Sequence, residues 1–261
     1  MTNPSPLPDL LALEDGRRIA YHRTVASDES SRAGRPGVVF LGGFKSDMTG
    51  TKATFLEEVC RARGLAFLRF DYTGHGQSSG AFEDGCIGDW ARDAADALDA
   101  LTEGPQILIG SSMGGWISLL TARARPERLA GLVTVAAAPD FTEEGMWAAF
   151  DEAQKAEMAK TGRVELPSDY SDEPYVITQK LIEDGRAHLV LRTPLPLPFP
   201  VRLLQGTADA DVPLEWALRL LEHAESPDLR LTLVKGADHR FSAPAELALL
   251  EAALDEVLAL A

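Results

Sequence analysis

Short, continuously apolar runs that end in glycine and hand over to a helical pattern recur along this chain, and few folds accept that arrangement. Val38-Val39-Phe40-Leu41 ends on Gly42-Gly43 and leads to a helical pattern over 52–63, where Phe55, Leu56 and Val59 share a face and Gly64 follows as the stop. Ala66 to Phe70 precedes a helix over Trp90 to Leu101. Gln106-Ile107-Leu108-Ile109-Gly110 precedes another over Met113 to Arg125, which Pro126 terminates. Leu129 to Ala137, Val201 to Gln205 and Leu229 to Val234 read as further strands, with helices near Leu214 to His223 and Glu246 to Leu260. A strand apolar at every position is buried on both faces. The alternation therefore predicts an α/β fold: a mostly parallel twisted sheet with helices on both faces. Leu10 to Thr24 reads as a hairpin about the Asp15-Gly16 turn.

The alternation breaks over 140–192. Thr142, Glu143 and Glu144 read as a helix start, with Met146, Phe150 and Ala153 on one face. Polar, Pro-containing residues follow Gly162, then a second short helix near Tyr175 to Asp184. We expect a small lid insertion, about 140–192, within a single domain over 1–261, since 261 residues suit one large α/β domain. Pro194 to Pro200 reads as a stiff connector from that insertion to the sheet; the other reading is a Pro-rich ligand segment.

Charge and cysteine content exclude several function classes. With 25 Lys+Arg against 40 Asp+Glu the formal charge is −15, which repels phosphate backbones and anionic lipid. Nucleic acid is not an expected partner. Cys60 and Cys86 are too few for a disulfide framework or a zinc site and read as free thiols. The opening residues show neither a basic, apolar leader nor an Arg-rich transit pattern. No apolar run approaches the roughly 18 residues of a membrane span. These readings give a cytoplasmic location and no stable membrane insertion as expectations, with the oligomeric state open.

Gly110-Ser111-Ser112-Met113-Gly114 carries the chemistry. The pattern Gly-x-Ser-x-Gly lies between a predicted strand and a predicted helix, the setting in which a serine is raised on a sharp turn as a nucleophile. Ser112 is the candidate, and Ser111 is assigned to packing. A serine needs a base, and the base an orienting carboxylate. Among His22, His75, His188, His223 and His239, only His239 follows the last strand and precedes the last helix, at the carboxyl edge of the sheet. His75 also lies after a strand's carboxyl end, within Asp71-Tyr72-Thr73-Gly74-His75-Gly76, where it reads as part of a turn or as a pocket residue. Asp209 lies just past the strand Leu203-Leu204-Gln205, giving the order Ser112, Asp209, His239. Asp211, before Val212-Pro213, reads better as a helix cap; Asp238 would have to fold back to reach the neighbouring ring.

The oxyanion requires two backbone N–H donors. Met113, directly after the nucleophile, is one candidate, and Phe44, after Gly42-Gly43, the other; Gly43 is expected against the substrate. Trp147 and Phe150 in the insertion either contact an acyl chain or pack on the core, and Trp116 reads as core. No metal-ligand spacing and no phosphate-cradling loop is present, so no cofactor and no metal are expected.

Five stretches resemble the α/β-hydrolase superfamily, and within it the mitochondrial palmitoyl-protein thioesterase and acyl-glucuronide esterase branch with its bacterial relatives. They are Ser46 to Ala53, Arg69 to Gly74, Gly104 to Trp116, Arg202 to Gly206 and Asp238-His239-Arg240. Gly42 departs by standing where many members carry His, and the insertion matches more loosely. The resemblance implies Ser112, Asp209 and His239 as a catalytic triad hydrolysing S-acyl or O-acyl bonds of a small-molecule or protein-linked substrate. The alternatives are a broad carboxylesterase or acyl-glucuronide esterase on small molecules, and a non-catalytic receptor with the same fold.

Overall fold

Along the strand Gly37–Leu41, Val38 and Phe40 face one apolar cluster while Val39 and Leu41 face another, so the sheet is buried on both sides. This period-two division into two cores accounts for the apolar run. The computed structural model describes residues 7–32, 34–167 and 174–261; the reading of the first six residues and of the polar stretch 168–173 lies outside them.

The elements are β1 (Asp9–Ala12), β2 (Arg18–Thr24), α1 (Asp28–Arg32), β3 (Gly37–Leu41), α2 (Thr51–Ala62), β4 (Phe67–Phe70), α3 (Ile87–Leu101), β5 (Gln106–Ser111), α4 (Met113–Ala124) and β6 (Leu129–Val135). After the insertion come β10 (Val201–Gly206), α7 (Leu214–His223), β12 (Leu229–Val234) and α8 (Pro244–Leu258). Eight strands form one sheet in the order β1-β2-β4-β3-β5-β6-β10-β12. The β1–β2 and β2–β4 pairs are antiparallel and the remaining pairs parallel, which makes this an α/β-hydrolase fold. Helices α3 and α4 cover one face through Trp90, Leu98, Trp116 and Leu120; α2 and α8 cover the other through Leu56, Leu250 and Leu254. Parallel pairing sets Leu41 beside Gly110 and Gln205 beside Leu233, so the carboxyl ends of β3, β5, β10 and β12 share one edge.

Between β6 and β10 the chain forms a π-helical turn (Thr142–Trp147), α5 (Glu152–Thr161), the antiparallel pair β7 (Arg163–Leu166) and β8 (Tyr175–Thr178), and α6 (Gln179–Ala187). Two expectations are corrected here. Thr142 is buried rather than capping a helix. The first helical stretch ends before Phe150, and α5 restarts on a capping box in which Asp151 Oδ1 accepts the Gln154 N–H at 2.7 Å. Met146, Phe150 and Ala153 consequently do not share one face, and Ala153 is exposed. Tyr175 to Thr178 is strand rather than helix, because Val176 and Ile177 pair with Glu165 and Val164; the helix begins only where Thr178 Oγ1 caps Leu181 N–H at 3.2 Å. Asp140, fully buried at φ 61°, accepts the N–H of Val190 at 2.8 Å and of Leu191 at 3.1 Å, joining the start of the insertion to its end. Further on, β9 (Leu195–Pro196) in the Pro-rich run pairs with β11 (Ala224–Glu225).

A buried ionic junction fixes the N-terminal hairpin. The Asp93 side chain is 0% exposed; it takes an ion pair from Arg17 and accepts the Thr73 N–H at 2.8 Å and the Thr73 hydroxyl at 2.7 Å. Arg17 also bonds Asp96 at 2.6 Å. Asp93→Ala would leave the Thr73 donors unpaired against the half-hidden guanidinium. The expected loss is about 3–5 kcal/mol, read as a lower urea midpoint at unchanged slope.

Candidate active site

Strand β5 delivers Ser112 to the carboxyl edge and α4 begins one residue later. Ser112 has φ 55° and ψ −119°, a conformation costing roughly 1–3 kcal/mol that persists only where the surroundings over-determine it. Three backbone bonds do so: Ser112 N–H donates to Val135 O at 2.9 Å, and Ser112 O accepts from Gly115 at 2.9 Å and Ala138 at 3.1 Å. The flanking glycines are dictated by contact. A Cβ on Gly110 would overlap the Gly114 carbonyl, and one on Gly114 the carbonyl of Leu41.

The loops after β10 and β12 are laced together, which brings two distant residues to this serine. Thr207 N–H donates to Val234 O and Ala208 N–H to Ala237 O, both at 3.0 Å, while Gly236 N–H donates to Thr207 Oγ1 at 3.0 Å. His239 Nε2 then lies 3.1 Å from Ser112 Oγ, and His239 Nδ1 lies 2.9 Å from Asp209 Oδ2. The Asp209 side chain is 1% exposed, that of His239 19%. Asp209 also accepts the N–H of Asp211 at 2.9 Å and of Val212 at 2.8 Å, and the Gln205 amide at 3.0 Å. Burial opposes ionisation, yet the hydrogen bonds from His239 and Val212 outweigh it and hold the Asp209 carboxyl below the usual carboxylate range. Because an ionised carboxylate only accepts, His239 Nδ1 carries a proton and Nε2 is left to accept from Ser112.

Asp238, His188 and His223 are engaged elsewhere. Asp238 Oδ1 accepts the Phe241 N–H at 3.2 Å and closes its own turn. Asp211, by contrast, stays at the site: it is exposed and lines the cavity, with a carboxylate oxygen within 4.8 Å of Asp209 and His239, while α7 begins only at Leu214 after Pro213. His188 pairs with Asp184 at 3.3 Å, and His223 Nε2 meets Thr193 O at 2.8 Å. Cys60 and Cys86 are free and buried, and Trp116 is fully buried.

Ser112 opens onto a cavity of about 730 Å³, within the usual range for small-molecule sites. Gly43 lines it beside Ser112, and Met113, as the first residue of α4, has an N–H ahead of the helix's own ladder. Much of the wall is apolar, from Phe44, Phe141, Met146, Tyr175, Val212 and Trp216. Trp147 and Phe150 are not among its described lining residues, contrary to one of the two readings from sequence. The π turn directs Gly145 and Met146 to the cavity, while Trp147 stacks 4.8 Å beneath the Arg186 guanidinium and Phe150 is core. Sequence reasoning missed Tyr175 and Trp216, whose only signal was aromatic character in the insertion and in α7.

Residues 38–257 match the model of the alpha/beta hydrolase family, and the chain belongs to that family. It is an enzyme, an ester-bond hydrolase. Among curated proteins it is similar to palmitoyl-protein thioesterase ABHD10, mitochondrial, of Rattus norvegicus, at 40% identity over 224 residues, 85% of this chain and 75% of that one. Among solved structures, one from Agrobacterium vitis matches with a TM-score of 0.91 at 39% identity, covering 97% of this chain and 99% of the other. Alpha/beta hydrolase domain-containing protein 10 from mouse matches at 0.87 and 36% identity, covering 96% and 98%. The cytoplasmic expectation is thereby corrected, because the curated relatives at 38–40% identity are named mitochondrial. Among the described residues no helix is long and apolar enough to cross a membrane.

Proposed function

We propose that this enzyme is a serine hydrolase of acyl thioesters and carboxylic esters, acting on S-acylated substrates in the manner that the name palmitoyl-protein thioesterase describes for its relatives. The observation that carries the reading is the unbroken relay Ser112 Oγ–His239 Nε2–His239 Nδ1–Asp209, at 3.1 and 2.9 Å, beside an apolar cavity. Ser112 Oγ attacks the acyl carbon as its proton passes to His239 Nε2. The developing oxyanion is met by the N–H groups of Met113 and Phe44. His239 then protonates the departing thiol or alcohol, leaving an acyl-enzyme. Water attacks that ester with His239 as base, and the carboxylic acid leaves with Ser112 restored. Residues 140–192 act as the lid, supplying Phe141, Met146 and Tyr175 to the acyl chain.

One further feature favours a second reading, a small-molecule esterase accepting anionic leaving groups such as acyl glucuronides. Lys45, Lys52 and Arg240 line the cavity, against Asp47 and Asp211. Both readings are tested together. A fluorophosphonate is expected to label the wild type on Ser112, and an unlabelled Ser112 would favour the non-catalytic receptor. Specificity constants across acyl-thioesters and oxygen esters of increasing chain length should rise with length by about 1–3 kcal/mol per well-packed methylene. A flat profile with preference for glucuronide esters selects the second reading.

A further inference from the structure

We propose that His75 is a positioning residue for the oxyanion donor: its imidazole holds the Gly43-Phe44-Lys45 loop so that the Phe44 N–H faces the reacting carbonyl. The inference rests on the serine-hydrolase reading above and deepens it. His75 comes from the turn after β4, far in sequence from Ser112, Asp209 and His239.

Its Nδ1 is 3.2 Å from Thr73 O, and its Nε2 is 3.2 Å from Lys45 N. A carbonyl only accepts and an amide N–H only donates, so these partners fix the tautomer: Nδ1 bears the proton and Nε2 accepts from Lys45. The bond falls on a residue that needs it. Lys45 has φ 56°, a conformation that a side chain other than glycine holds only under constraint, and it directly follows Phe44. Burial pushes the His75 imidazole down to about 4, the Thr73 bond opposing that, so the ring stays uncharged near neutral pH.

The support beneath the ring is rigid. Tyr72, Phe82 and Trp90 pack edge-on around it with centroids 5.1–5.5 Å away, and the ring is 3% exposed. A second clip joins the same two loops: Asp71 accepts the Met48 N–H at 2.7 Å and the Gln77 N–H at 2.8 Å. The Phe44 ring packs on Phe82 at 4.9 Å and Phe141 at 5.6 Å, so the loop is held from both sides of the donor. An N–H cannot be removed by side-chain substitution, but the imidazole that aims it can.

The test compares His75→Phe, which keeps an aromatic ring and loses the acceptor, with His75→Gln, whose amide oxygen can still accept from Lys45. Turnover is measured per site titrated with a fluorophosphonate, which removes any misfolded fraction. His75→Phe is expected to lower kcat about 10- to 100-fold per titrated site, because small misplacement of a catalytic dipole has effects of that size, with KM within about twofold. Affinity for an alkyl boronic acid, whose tetrahedral adduct uses the same donors, should fall in parallel, while His75→Gln recovers most of kcat. Unchanged kcat per titrated site in His75→Phe, or equal impairment of both variants, overturns the positioning role and leaves the serine-hydrolase reading intact. A wild-type enzyme in which Ser112 takes no label overturns that reading and this role with it.

Discussion

Ser112→Ala is expected to lower turnover by at least about ten-thousand-fold, or roughly 5 kcal/mol of transition-state stabilisation. The reason lies in what remains. His239 would still be aimed by Asp209 at 2.9 Å, and the proposed donors of Phe44 and Met113 would be unaltered, but no oxygen would stand at 3.1 Å from His239 Nε2 to form the acyl-enzyme. The residual rate would come from water attacking a carbonyl polarised by the donors. KM should change little, because the wall of Phe141, Met146 and Trp216 is untouched. Alanine should also relieve none of the backbone strain, since φ 55° is imposed by the Val135, Gly115 and Ala138 bonds. Single-turnover kinetics with a chromogenic ester checks the loss, and activity near the wild-type level would end the proposed mechanism.

Asp209→Asn is expected to lower turnover by about ten-thousand-fold as well, through a proton rather than through shape. The N–H groups of Asp211 and Val212 both reach Oδ1, so the carbonyl oxygen of an asparagine would be held there and its NH₂ turned toward His239. His239 Nδ1 would then have to accept, moving the ring proton to Nε2, where it faces Ser112 and blocks proton removal. The same NH₂ would oppose the Gln205 amide, which donates to Oδ2 at 3.0 Å and whose own oxygen is buried with no hydrogen-bond partner among the described residues. Asp211→Asn, at an exposed position, should stay within about threefold of wild type. Comparing kcat/KM for the two variants checks the assignment, and the reverse order would transfer the role of the acid to Asp211.

The architecture was legible wherever burial on two faces left no choice of residue. Val38 to Leu41 and Ile107 to Gly110 lie in the middle of the sheet, so their apolar runs mark strands directly. Gly110 and Gly114 were legible for a related reason, since the turn allows no Cβ at either position. The insertion was not. Its local signals conflict, with Thr142, Glu143 and Glu144 resembling a helix start while the chain makes a π turn, and with Val176-Ile177 set in a stretch read as helix. Packing decided those elements: Thr142 is enclosed against Gly185 of α6, and β8 exists because β7 lies alongside it. The cavity wall was illegible because Tyr175, Val212 and Trp216 are assembled from separate elements, and no spacing within one segment encodes their meeting. His75 showed half of its signal, a position past the carboxyl end of a strand; its contact with Lys45 could come only from coordinates.

The Asp140 carboxylate has a wider consequence. A segment whose entry and exit are fastened by one side chain, through Val190 and Leu191, behaves as a cassette, able to change length or composition without altering where the backbone departs from the scaffold and returns. Enlarging such a loop is cheap, about 0.6 kcal/mol for each doubling of its length. Selection can therefore rewrite what the enzyme accepts by exchanging this cassette while the catalytic frame is inherited unaltered.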